Sequence, residues 1–462
     1  MKRFLILFFL FIPFLAAKDP VYVVLWFDTE DYVEPAADDA ALRIATDLTN
    51  ANVRATFKVV GEKARVLESR GRTDVIRALS RHAIGYHLNF HSVPPPPSVY
   101  LRRLGMLEGA QEFERRERPG VLDIKRIFGV TPICYGQPGS SWAPQAHVAL
   151  RRLGIPVYLD EGSQVGINDQ PFWYGGVLNI FNMGKNTIRP NFDKPETNQA
   201  TYQKFADAVE QLSNNGGGVI STYFHPTEFV TTEFWDAVNF KNGEPRRRED
   251  WIRPHKRTQA EAERCFRTLQ EYVQMAKKTP GVHFVTAQDV LLLYRAQTPP
   301  QLEPRKIAEH LSKQITFIQT DNGEFSAADL LLQLLGISPQ IVDGPTSRGQ
   351  TTYHSEAIPD WLFDQAKKDA VSFINAHHRL PAEVFLGSET LSLPDFAATV
   401  AAQVLSGGPA RVVHGNIQFD KYFATDAKKA FNWPIHPKDF SAPELLDLAR
   451  LQGWTLKPAR LK

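Results

Sequence analysis

Apolar positions along this chain fall into two regimes. From Val21 to about Leu293, short continuous apolar runs alternate with stretches of helical spacing. Val21-Tyr22-Val23-Val24-Leu25-Trp26-Phe27 is almost unbroken, the pattern of a strand buried on both faces. Further strands are predicted at 55–61, from 83 up to His87, from 132 to 135, and at 156–160, 218–225 and 283–286. Helices are predicted at 40–50, 75–81, 146–153 and, strongly amphipathic, 259–277. Repeated βα units of this kind imply a parallel sheet, and this many point to a (β/α) barrel. Chemistry in such barrels sits at the carboxyl ends of the strands, where Asp28, His87, Tyr135, Asp160 and His225 all fall.

The second regime starts after Gln297-Thr298-Pro299-Pro300-Gln301, a linker by its Pro and polar content. The strong strand runs disappear, and a smaller, mainly helical region is expected. Three segments beginning Phe325-Ser326, Leu391-Ser392 and Phe440-Ser441 share one chemistry: Ser capping a helix, an acid in the first turn, apolar residues after it. They read equally as a degenerate repeat or as ordinary capping. The expected division is 1–17, 18–297 and 298–462. The last part has no assigned role, with wall or glycan binding one reading of it.

Composition narrows the class. At 462 residues the chain exceeds one ordinary core. The formal charge is +2, and Lys2 and Arg3 supply two of the positives. A processed chain is near neutral, which excludes a broad nucleic-acid footprint. Lys2-Arg3, the apolar run Phe4 to Leu15 and Ala16-Ala17 read as an export signal. The chain is therefore expected in the periplasm, the cell envelope or outside the cell, with a membrane contact only if that segment stays uncleaved. Two cysteines, Cys134 and Cys265, do not make a disulfide framework.

Candidate chemistry concentrates early. His87 and His91 are four residues apart, a spacing that puts both rings on one face of a helical turn, close enough to share a metal ion. Asp28-Thr29-Glu30-Asp31 follows the first strand. Two imidazoles and a carboxylate with positions left open can activate water.

In order along the chain, these segments resemble the polysaccharide deacetylase superfamily (NodB-homology, carbohydrate esterase family four). Trp26-Phe27-Asp28-Thr29-Glu30-Asp31-Tyr32 resembles its first motif, and Ala55-Thr56-Phe57-Lys58 the strand that follows. His87 to His91 resembles the second motif, Tyr135 to Trp142 stands at the third, and Phe224-His225-Pro226-Thr227-Glu228 resembles the last. The resemblance covers about 21–293 and implies a distorted (β/α) barrel and metal-assisted removal of N-acetyl groups from a polysaccharide or cell-wall glycan. It implies Asp28 as general base, His225 as general acid, and His87, His91 and either Glu30 or Asp31 as ligands of a divalent transition metal. Zinc leads, and cobalt and nickel accept the same donors. Tyr135, Gln137, Trp142 and Trp173 are the expected substrate contacts. The third motif normally supplies an Arg that orients the base, and here Gly136-Gln137 stands in its place. Another cation compensates, or the substrate differs, or the site is weakened. Two further functions stay open: an allantoinase-like amide hydrolase, and a non-catalytic carbohydrate-binding protein.

Overall fold

The computed structural model describes residues 18–294, 297–355 and 357–462. The expected export signal lies outside them. Among the described residues fourteen strands form: β1 (Val21–Thr29), β2 (Thr56–Val59), β3 (Ala83–Tyr86), β4 (Cys134–Tyr135), β5 (Val157–Leu159), β6 (Phe172–Tyr174), β7 (Val177–Ile180), β8 (Gly218–Phe224), β9 (Val282–Val285), β10 (Ile318–Thr320), β11 (Gly323–Phe325), β12 (Glu383–Leu386), β13 (Glu389–Ser392) and β14 (Lys457–Pro458). Ten build one sheet in the order β14-β6-β7-β5-β4-β3-β2-β1-β8, with β9 also on β1. Every pair from β7 across to β8 is parallel, while β6 and β14 run antiparallel at one end. The expected barrel is therefore curled and incomplete.

The apolar run of β1 is central because it is paired along both edges. β8 lies along Val21 to Phe27; on the other edge β9 takes Val21 to Val24 and β2 takes Trp26 to Thr29. Parallel register then lines up the strand ends. Asp28 pairs with Lys58, and Phe27 with both Phe57 and Phe224. The residues just beyond each strand end meet at one rim.

The C-terminal region repeats one unit twice. Helix Pro304–Leu311, hairpin β10–β11 and helix Ala327–Leu334 recur as helix Asp360–His377, hairpin β12–β13 and helix Leu393–Ser406. The Asp329 backbone N–H donates to Ser326 Oγ at 3.1 Å and that of Asp395 to Ser392 Oγ at 3.3 Å, so two of the three expected caps form. The third does not: helix Pro443–Leu451 follows Ala442, and no side chain caps it.

No break in packing marks residue 297. One buried apolar cluster runs from Leu25 and Phe27 through Trp142 and Tyr174 to Phe396, Leu445 and Trp454. The Tyr174 hydroxyl donates to the Ala449 carbonyl at 3.0 Å, and Arg151 holds Asp343 at 2.7 Å. Strand β14 carries buried Lys457, whose ammonium donates to Asp329 Oδ2 at 2.8 Å and to the Gln297 carbonyl. Removing one partner of such a pair leaves the other uncompensated. Lys457→Met is expected to lower stability by about 2–3 kcal/mol, read as a lower denaturant midpoint at unchanged slope. An unshifted midpoint refutes the tie between β14 and the repeat. Among the described residues no helix is long and apolar enough to cross a membrane.

Candidate active site

The rim is built by short-range backbone locks. The His87 N–H donates to the Val59 carbonyl at 3.1 Å, and Gly61 and Glu62 donate to the Leu88 and Asn89 carbonyls at 2.9 and 2.8 Å. The expected helical turn over 87–91 does not form. Leu88 and His91 have φ of 65° and 54°, left-handed values that end a helix. The loop nevertheless turns both rings inward, with their Nε2 atoms 3.0 Å apart.

Glu30 completes the set. Its Oε2 lies 2.9 Å from His91 Nε2 and 3.5 Å from His87 Nε2, and all three residues are buried. These donor atoms lie within 4.8 Å of one another, as around one ion. The outer ring nitrogens are taken. His87 Nδ1–H donates to the Gly136 carbonyl at 2.9 Å. His91 Nδ1–H donates to Ser92 Oγ, whose hydroxyl donates to Asp236 Oδ2 at 2.7 Å. Both Nε2 lone pairs therefore face the Glu30 carboxylate, the arrangement outer partners impose on metal-binding imidazoles.

Electrostatics match a cation. Burial, with neighbouring His91 and Lys58 adding, drives His87 well below its ordinary pKa, and burial takes His91 down to about 4. Both rings are neutral donors near pH 7. Burial pushes Glu30 well above the carboxylate range; His225 opposes this, and Asp236 and Asp28 add to it. Glu30 Oε1 is buried with no hydrogen-bond partner. An anionic oxygen in that setting fits a divalent ion as its missing partner.

Asp31 does not join. Its Oδ1 accepts from the Val33 and Glu34 N–H groups, both at 2.9 Å, and its Oδ2 accepts from the Thr227 hydroxyl at 2.8 Å. Asp31 shapes the loop, and Glu30 is the carboxylate beside the imidazoles.

Asp28 and His225 stand next to this set. Asp28 Oδ1 is 3.6 Å from His87 Nδ1, and its Oδ2 is 3.6 Å from His225 Nε2. His225 Nδ1–H donates to Glu228 Oε2 at 2.9 Å, and Arg189 pairs with the other Glu228 oxygen. Burial disfavours the charged ring, but Glu228, Glu30 and Asp28 outweigh it and raise His225 to about 9. His225 is the most exposed of the five, at 16% of its side chain against 4% for Asp28.

The residues expected to contact substrate are buried. Tyr135, Trp142 and Trp173 are 1%, 0% and 8% exposed and lie inside the apolar clusters, where large aromatics bury the most surface. Gln137 is also buried: its amide donates to the Glu161 carbonyl at 2.7 Å and it accepts from the Tyr158 hydroxyl at 2.6 Å. Neither of these bonds reaches Asp28.

Two residues at the rim went unnoticed in the sequence. Lys58 Nζ lies 2.9 Å from Asp28 Oδ1 and 2.6 Å from Asp160 Oδ2. Half-buried Trp433, from the C-terminal region, turns edge-on to His91 with ring centres 6.1 Å apart. The Trp433 backbone N–H donates to Ser140 Oγ at 3.0 Å. A Lys inside an apolar strand was a local signal for the first; nothing near Trp433 in sequence pointed to the second.

No family model matches the sequence, and no curated protein does. Solved structures resemble parts of this chain at low scores. One, described as a polysaccharide deacetylase from Mycobacterium smegmatis, is 16% identical over 62% of this chain and 97% of that one, with a TM-score of 0.38. A family 4 acetyl xylan esterase from Clostridium thermocellum in complex with a cobalt ion is 17% identical over 59% and 91%, with a TM-score of 0.29. The 4-alpha-glucanotransferase from Thermococcus litoralis is 11% identical over 59% and 40%, with a TM-score of 0.40. Deacetylases recur among these neighbours, and an allantoinase is present. All the scores are low, so the chemistry rests on this chain's own side chains.

Proposed function

We propose that this chain is a metal-dependent hydrolase that removes N-acetyl groups from an extracytoplasmic polysaccharide. One observation carries the reading: Glu30, His87 and His91 converge on a common point beside an acid and an imidazole suited to opposite proton transfers. Glu30, His87 and His91 would hold the ion, with zinc the leading candidate and cobalt and nickel accepting the same donors. Once bound, such an ion lowers the pKa of water and polarises the acyl oxygen.

The chain's own groups do the rest. Asp28 takes the proton of the attacking water as its oxygen adds to the acyl carbon. His225 enters as the imidazolium and gives its proton to the amine nitrogen as the C–N bond breaks. Acetate and the free amino sugar leave. Glu228 fixes His225 through Nδ1, so that Nε2 presents the proton. The export reading of 1–17 supports a polymer outside the cytoplasm over a small metabolite, and the C-terminal region, packed against the rim, fits a glycan-contacting role.

Acetate release from chitooligosaccharide, peptidoglycan and exopolysaccharide, with and without a chelator, tests the proposal. Chelator-sensitive release from one of them is expected; no release from any of the three contradicts it. The pH profile tests the acid. The raised pKa keeps His225 protonated below about 9, so turnover is expected to fall as pH rises through that value. Glu228→Gln removes the main opposition to burial and is expected to move this limb towards neutral pH. An alkaline limb that does not move with Glu228→Gln assigns the acid elsewhere.

A further inference from the structure

A fully buried ammonium sits at the heart of the rim. Besides its ion pairs with Asp28 and Asp160, Lys58 Nζ donates to the Leu159 carbonyl at 2.8 Å and stands 4.1 Å from the centre of the Trp26 ring. Burial favours the neutral amine, but the two carboxylates outweigh it and Lys58 stays charged. A charge this deep is costly unless every side of it is answered, and here every side is.

Two glycines make the channel that admits it. A Cβ at Gly85 would stand 2.8 Å from Lys58 Cγ and 2.5 Å from Cys134 Sγ. A Cβ at Gly136 would stand 2.0 Å from Lys58 Nζ and 2.1 Å from Asp160 Oδ2. Neither approach tolerates a side chain. Asp28, His87 and Asp160 form a second donor set close enough to grip a metal ion. The ammonium already stands between its two carboxylates, so a fixed cation of the chain fills that place and the Glu30 set is left for the exchangeable one. The ion pair also divides the Asp28 carboxylate. Oδ1 is held by Lys58, and Oδ2 faces His225.

We propose that Lys58 is the positioning residue for Asp28, and that Gly136 is its steric counterpart. The cation expected just after β4, at Gly136, is delivered instead from β2, and Asp160 anchors it. This rests on Asp28 being the base. The site is then not weakened by the absence of an Arg in the third motif, because the charge has changed strands.

Removing the charge tests this. Lys58→Met and Lys58→Gln are purified, and ion content, kcat, KM and crystal structures are compared with the unaltered chain. Lys58→Met is expected to keep its ion and its KM, to lose about 100-fold in kcat, and to show Asp28 rotated out of place. Lys58→Gln keeps hydrogen-bond donors without the charge and is expected to lose less, about tenfold. Gly136→Ala is expected to displace Lys58 and lower kcat, because a Cβ there meets Lys58 Nζ, Asp160 Oδ2 and the Leu159 carbonyl. A folded Lys58→Met with Asp28 unmoved and kcat unchanged overturns the proposal. If Lys58→Met does not fold, Lys58→Gln decides: lowered kcat with Asp28 displaced supports the proposal, and full turnover with Asp28 unmoved overturns it. If the unaltered chain releases no acetate, the functional reading fails, while the position of Asp28 in Lys58→Met still decides the role of Lys58.

Discussion

Replacing His87 by Ala is expected to empty the ion site and stop turnover. Two of the three converging donors remain, but the Nε2 that closes the set is gone. An outer-partner change supplies the scale. Asp236 accepts from the Ser92 hydroxyl that His91 donates to, and its Oδ2 stands 3.9 Å from His91 Nδ1; Asp236→Asn is expected to weaken ion affinity by about 10–100-fold. Loss of a direct donor must exceed that. Competition against a chromophoric chelator, with elemental analysis of the dialysed protein, ranks the two variants. A His87→Ala protein that keeps its ion as tightly as the Asp236→Asn protein removes His87 from the ligand set.

Asp28→Asn separates chemistry from ion binding. The amide preserves the shape of the side chain but cannot take a proton. Turnover is expected to drop about 10²–10⁴-fold, the range general-base catalysis contributes. Ion content is expected to stay at the unaltered level, because Asp28 lies outside the Glu30, His87, His91 set. Acetate release and elemental analysis on the same sample read both quantities. Unchanged turnover means another group removes the proton. Turnover and ion lost together place Asp28 among the ligands.

Much of the fold was legible because its signals are local. The seven-residue apolar run of β1 can only be satisfied between two neighbours, and that run became the strand paired along both edges. The strands ending at His87 and His225 were legible in the same way. Hairpin β6–β7 went unread although Gly175-Gly176 joins its strands, both with positive φ (55° and 73°), the turn that two-residue hairpins favour. Strand β14 was not legible. Its two residues pair with β6 almost 300 positions earlier, and nothing beside Lys457 in sequence announces it.

The site divides along the same line. Motif order led to Asp28, Glu30, His87, His91 and His225. Glu30 was favoured and Asp31 stayed open because the acid is repeated and spacing carries no direction; two backbone N–H groups turn Asp31 into its own loop. Tyr135, Trp142 and Trp173 looked like sugar platforms because of their place near strand ends, and their size drew them into the core instead. Lys58 was in view as part of a strand, but its partner Asp160 comes from β5, and only the register of the intervening strands brings them together. Trp433 reaches His91 from the far half of the chain, by a packing that no local pattern encodes.

The most direct test is anomalous diffraction from crystals of the unaltered chain grown or soaked with cobalt. One peak is expected per chain, between Glu30 Oε2 and the Nε2 atoms of His87 and His91, and absent from the pocket that Lys58 fills. A crystal with no peak at that point, or with its only peak at another cluster, contradicts the account.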